Sequence, residues 1–156
     1  AYLNQGTVAS PSWVSVNETV PTVPPTTVVT ASVTVATTGD TDAYLIAPVA
    51  GTVSSILFAS SDSLAADDTD YITFSGLNMG LDGLGIATLL DITDDNTTKA
   101  TGGSAITSNS ARTLTLSALP ANLTVVVGDR IRLRAAATGT LAGTLANSQF
   151  LVRITT

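Results

Sequence analysis

Three arginines at alternate positions are the sharpest chemical signal in the chain. They lie in Gly128-Asp129-Arg130-Ile131-Arg132-Leu133-Arg134. On a strand, Arg130, Arg132 and Arg134 project from one face while Ile131 and Leu133 project from the other. Half of the 6 basic residues then sit on a stripe about 13 Å long. Like charges so close need anionic company. Three kinds fit: cross-strand carboxylates on a solvated sheet face, carboxylates across a subunit or partner contact, or an anionic ligand.

The second signal is acidic. Asp62, Asp67, Asp68 and Asp70 crowd one loop, and Asp91, Asp94 and Asp95 form another group. Clustered oxygen ligands on a loop can hold calcium, with Asp67, Asp68 and Asp70 as the weak candidate set. Their spacing matches no EF-hand, and a solvated, solubilising loop accounts for them equally simply. No metal or other cofactor is expected.

Other chemistry is excluded by composition. The 156 residues contain no Cys and no His. Thiol nucleophiles, thiolate or imidazole zinc sites and a Ser-His-Asp triad are therefore absent. Paired carboxylates could serve glycoside hydrolysis, but aromatic residues make up only 4% of the chain. Tyr2 and Trp13 fall near the N-terminus, which leaves Tyr44, Phe58, Tyr71, Phe74 and Phe150. That supply is too small for sugar platforms, and no enzyme is expected. The net charge of −6 gives nothing to hold a phosphate backbone. Lys99 is the only lysine, so a polybasic membrane anchor is lacking too.

Charged residues are 12% of the chain, against about 25% in ordinary soluble domains. Mean hydropathy is +0.40, yet the longest uncharged stretch is broken by prolines and rich in threonine, unlike a membrane span. A chain this apolar suggests surface hidden in an assembly. It starts at Ala1 with no signal peptide pattern, which a removed initiator Met or a removed leader would both explain. Three Asn-x-Thr sequons, at Asn17, Asn96 and Asn122, occur about as often as chance allows and imply no glycosylation.

The elements that must position these residues are strands. Residues 1–26 form a separate arm, with three of the 6 prolines in Pro21 to Pro25 and the apolar residues Tyr2, Leu3, Trp13, Val14 and Val16. The prolines favour extended backbone, and the apolar content suits an arm lying on another surface. From residue 27 onward, alternating or short apolar runs recur at 28–36, 43–47, 52–59, 71–75, 86–92, 111–117, 123–127, 130–136 and 149–154. Residues 76–85 read as a Gly-rich loop, and 93–104 as a long polar hairpin tip. No segment has a capped helical period. The expected fold is all-β: an antiparallel β-sandwich of jelly-roll type over 27–156, with an extended N-terminal arm.

Several segments together resemble a known family. Ala47-Pro48-Val49-Ala50-Gly51-Thr52-Val53 leads into a strand, and Asp70-Tyr71-Ile72-Thr73-Phe74-Ser75 precedes a loop with Asn78. Leu114-Thr115-Leu116-Ser117 is followed by Leu123 to Ile131, and Thr138-Gly139-Thr140 closes the set. Over residues 43–154 this order resembles the jelly-roll decoration and head-fibre proteins of tailed bacteriophages. Val127 stands where that pattern has a small residue before Gly-Asp. The resemblance implies a non-enzymatic protein on the outer surface of an assembled capsid, a virion component, commonly a homotrimer. Its partners would be the major capsid protein and further copies of itself, with neither nucleic acid nor membrane involved. Tyr2, Leu3, Trp13, Val14 and Val16 would then form a capsid-binding arm, with Arg130, Arg132 and Arg134 at a subunit interface. No catalytic residue is carried over. A carbohydrate-binding or host-adhesive jelly roll, such as a fibre tip using loops 62–70 and 93–104, is the alternative. A secreted surface-layer component is a third reading.

Overall fold

A computed structural model of the chain describes residues 23–156, together with the backbone of residues 2–4 and 13–15. Among the described residues the chain is strand and loop, with helical geometry confined to two 3₁₀ turns at Asp94–Asn96 and Pro120–Leu123. The arm contains a short antiparallel ladder: β1 (Tyr2–Asn4) pairs with β2 (Trp13–Ser15), Leu3 opposite Val14. Val16 lies outside the described residues, as do the side chains of Tyr2, Leu3, Trp13 and Val14.

Nine strands build the body: β3 (Thr26–Val35), β4 (Gly39–Ile46), β5 (Gly51–Ala59), β6 (Tyr71–Asn78), β7 (Ala87–Thr88), β8 (Arg112–Leu114), β9 (Thr124–Val125), β10 (Arg130–Thr138) and β11 (Leu145–Thr155). One sheet runs β3-β11-β5-β8, with β9 beside the start of β5; the other runs β4-β10-β6-β7. Every pairing is antiparallel. Long strands close in sequence fall in opposite sheets, and the last two return to the middle of each. This is the jelly-roll order of an all-β sandwich.

Period-two patterning decides which face each strand buries. On β10, Ile131, Leu133 and Ala135 are buried, while Arg130, Arg132 and Arg134 face outward. On β11, Phe150, Val152 and Ile154 are buried, and Phe150 lies opposite Phe58 of β5. Phe58, Phe74 and Phe150 join the two layers, with ring centroids 4.8, 5.0 and 6.1 Å apart. Tilted and edge-on rings at these separations add specific attraction to their apolar burial.

Three segments depart from the sequence expectation. First, β6 runs through Gly76 to Asn78 instead of ending at Ser75. Gly76 faces inward, where a Cβ would come within 2.9 Å of a Leu133 methyl, so the glycine makes room for packing and marks no loop. Second, residues 86–92 are not one strand. Leu89 and Leu90 are consecutive and both buried, which a flat strand cannot arrange. The chain crosses between sheets there: Leu89 bonds to the Gly76 carbonyl and Leu90 bridges Leu116. Third, residues 93–104 are no solvated tip. Asn96, Thr97 and Thr98 are buried, and Thr98 exchanges bonds with Ile72 at 2.8 Å through its amide and its hydroxyl.

Candidate functional site

The two ends of the sandwich differ chemically. One end gathers the loops between β3 and β4, β5 and β6, β10 and β11, and the 93–104 segment. It carries Asp40, Asp42, Asp62, Asp67, Asp68, Asp70, Asp94 and Asp95, most of the 12 acidic residues. The opposite end gathers residues 47–50, 79–86 and 126–129, with the start of β3.

At the acidic end the carboxylates are held apart by protein donors. Asp67 accepts the backbone N–H groups of Thr69 at 2.6 Å and Asp70 at 2.9 Å. The Asp70 and Thr69 amides hold its carboxyl below the usual range. Asp68 accepts the Thr101 amide at 2.8 Å and its hydroxyl at 2.9 Å, which lowers its pKa likewise. Asp70 accepts the Thr140 amide at 2.9 Å, and Asp62 the Ala146 amide at 2.7 Å. Among the described residues no three such side chains are placed to share a metal ion. In the weak candidate set Asp67, Asp68 and Asp70, each carboxylate organises a different stretch of backbone.

The arginine stripe lies on one face of β10, but its members differ in surroundings. Arg134 makes a bidentate pair with Asp42 on β4, Nε at 2.6 Å and Nη2 at 2.8 Å, and also reaches Asp40. Its guanidinium holds Asp42 below the usual carboxylate range, and Asp42 raises Arg134 above its ordinary value. Arg134 thus has its anionic company within its own chain. Arg132 lies between Tyr44 and Leu77. Arg130 lies opposite Ile46 and next to Gly83. Among the described residues neither has an ion pair.

The sequence pattern did not reveal the most exposed apolar surface. Ile46, Leu81, Leu84, Ile86, Val126 and Val127 cluster at the end opposite the acids, around Arg130. Their loops are fixed by the Asn78–Asp129 pair. The buried Asp129 Oδ2 accepts the Asn78 amide and the Val126 backbone N–H, both at 2.9 Å. Asn78 also donates to the Thr124 carbonyl at 3.2 Å and accepts the Gly80 amide at 2.9 Å. Leucines and isoleucine between glycines, as in Leu81-Asp82-Gly83-Leu84-Gly85-Ile86, were the available signal: loop apolar residues with no strand to bury them.

The first described residues of the body, from Val23 into β3, are at this same end. The Pro25 carbonyl accepts the Thr156 amide at 3.1 Å, and Thr26 pairs with Thr155. Val23 is 83% exposed.

A hollow of about 500 Å³ lies on the outer face of β6, lined by Thr73, Ser75, Leu90, Ile92, Asp94 and Lys99. Lys99 bonds to Asp94 at 2.8 Å, which raises the lysine pKa, and stands 5.1 Å from the Tyr71 ring centroid. Beyond it, Arg112 donates to the carbonyls of Ser104, Asp95 and Thr97 at 2.7, 2.6 and 2.7 Å. Desolvation pulls its pKa down. Arg112 is structural, a role its sequence position did not reveal.

No family model matches the chain, and no curated protein matches it. Among solved structures it is similar to the structure of infectious bursal disease virus Gt strain, at 14% identity and a TM-score of 0.37. The match covers 96% of this chain and 36% of that one, so the chain spans about a third of its length. A common fold does not follow from a superposition that loose.

Proposed function

We propose that this chain is a non-enzymatic structural protein that decorates the outer surface of an assembled phage capsid, as a homotrimer. The observation that carries the reading is the polarity of the molecule. The first described residues of the body and the exposed apolar residues share one end, while most of the acids crowd the other. Such a molecule has one end suited to contact and one to solvent. In this reading Tyr2, Leu3, Trp13, Val14 and Val16 supply apolar burial on the major capsid protein. Many copies on a symmetric shell add avidity.

Co-sedimentation with capsid shells assembled without this protein tests the reading. The full chain pellets with shells, and a chain lacking residues 1–22 stays in the supernatant while keeping its thermal transition. The truncation stops short of Pro25, because that carbonyl bonds the C-terminal strand. Equal pelleting of both chains would defeat the arm assignment. Failure of the full chain to pellet would defeat the decoration reading.

The hollow beside Lys99 favours a second reading, a glycan-binding or host-adhesive module. Its lining offers polar groups, but only Phe74 among the aromatic residues, and that ring is buried. Signal on a glycan array that disappears in Lys99→Ala would support that reading over decoration.

A further inference from the structure

The apolar end has a feature that restricts what can cover it. Its loops are pinned: the Met79 amide donates to the Arg130 carbonyl at 2.7 Å, the Gly85 amide to the Met79 carbonyl at 2.7 Å, and the Gly128 amide to the Ala47 carbonyl at 2.8 Å. Leu81 rests on Gly128, where a Cβ would sit 2.9 Å from its methyl. Leu84 and Ile86 are held outward, 79% and 83% exposed, by backbone that is already bonded.

Two opposite charges are set into this surface. The Arg130 guanidinium lies over Gly83, where a Cβ would come within 2.7 Å of Nη1. Asp82 accepts the Leu84 amide at 2.9 Å through Oδ1. Among the described residues neither charge has an ionic partner. The exposed patch is therefore apolar and carries one exposed cation, Arg130, and one exposed anion, Asp82, with the Asp129 carboxylate buried beneath it. Copies arranged around a threefold axis can set the cation of each such patch against the anion of the next. Copies that each carry −6 repel one another at their acidic ends. At this end they can approach.

We infer that the surface around Arg130 receives a second copy of this chain, with Arg130 of one copy facing Asp82 of its neighbour. Leu81, Leu84, Ile86 and Val127 form the apolar centre of the contact, and the two charges form its rim. This rests on the oligomeric part of the proposed function and deepens it. It narrows the expected subunit contact from the whole arginine stripe to its Arg130 end: Arg134 is paired internally, and Arg132 lies mid-strand between Tyr44 and Leu77, whereas Arg130 lies over Gly83 among the apolar loops. The contact also brings the starts of the bodies together, so that the arms of several copies meet one surface.

Light scattering on the full chain tests this. The wild-type protein gives a mass near three times 15.7 kDa. The doubly substituted Leu84→Asp, Ile86→Asp chain, whose changes lie on exposed positions, gives one chain's mass with an unchanged circular dichroism spectrum. Arg130→Asp and Asp82→Arg each lower the mass at a given concentration, and the two combined restore it. A monomeric wild type, a doubly substituted chain that keeps the wild-type mass, or a charge swap no better than its single changes would overturn the inference. Shell binding by a monomeric wild type would leave decoration standing and remove only this contact. A trimer that ignores shells would do the reverse.

Discussion

Replacing Asp129 separates a hydrogen-bonding role from a charge role. Both bonds to this side chain, from Asn78 and from the Val126 backbone, end on one oxygen, Oδ2. Asp129→Ala removes both. Bonds to a charged acceptor are worth about 1.5–3 kcal/mol each. The loss is softened because Asn78 keeps its bond to the Thr124 carbonyl and because removing a buried carboxylate recovers its desolvation cost. A net loss of about 2–3 kcal/mol follows. For a body of this size that lowers Tm by about 6–12 °C. Asp129→Asn can place its carbonyl oxygen where Oδ2 stands and keep both bonds, turning its NH₂ to the other side. Its loss is under about 1 kcal/mol, or about 3 °C. Scanning calorimetry on the two variants, with hydrogen exchange at residues 79–86, reads both numbers and shows whether the apolar loops loosen. An Asp129→Ala protein that melts within about 2 °C of wild type would refute the reasoning. So would an Asp129→Asn protein as unstable as the alanine variant.

Further outcomes follow from the same structure. Asn96→Asp loses two donated bonds, to the Asp91 and Thr115 carbonyls at 2.8 Å each, and costs about 3–5 kcal/mol by urea titration. The Asn96 sequon stays unmodified when the protein passes through a glycosylating host, because that amide is buried and bonded; peptide mapping reads this. Phe150→Ala opens the aromatic cluster and costs about 3–5 kcal/mol. The carboxyls of Asp42, Asp67 and Asp68 are held low in the folded chain. Their stabilisation is therefore present above the unfolded carboxylate pKa, about 4, and is lost as pH falls through the lower folded values. With no His in the chain, Tm changes little between about pH 6 and 9 and drops below about pH 4. A sharp transition near pH 6.5 would contradict this.

Much of the architecture was legible because strand alternation is a local signal. Ile131 and Leu133 against Arg130, Arg132 and Arg134 give the face of β10 directly, as Phe150, Val152 and Ile154 do for β11. Three features were not legible, because each depends on partners far away in sequence. Gly76 reads as a breaker until Leu133 is seen packed over it. Asn96 and its neighbours read as a polar tip until Thr115 and Ile72 supply their bonds. The acidic loop reads as a ligand cluster until Thr101, Thr140 and Ala146 are seen taking its carboxylates one by one. The site was legible in part. The stripe was visible, but the Asp40 and Asp42 that absorb Arg134 lie about ninety residues earlier. The apolar end was hidden because its residues come from the end of β4 and from two separate loops, 79–86 and 126–129, none of them apolar enough alone to stand out.

Decoration of the outer surface is tested by a cryo-electron microscopy reconstruction of shells incubated with the full chain. Added density is expected on the outer surface, in groups of three, with the Leu84 and Val127 end and the arms toward the shell and the Asp67–Asp70 loops outward. Bare shells, or density seated with the acidic end against the shell, would contradict it.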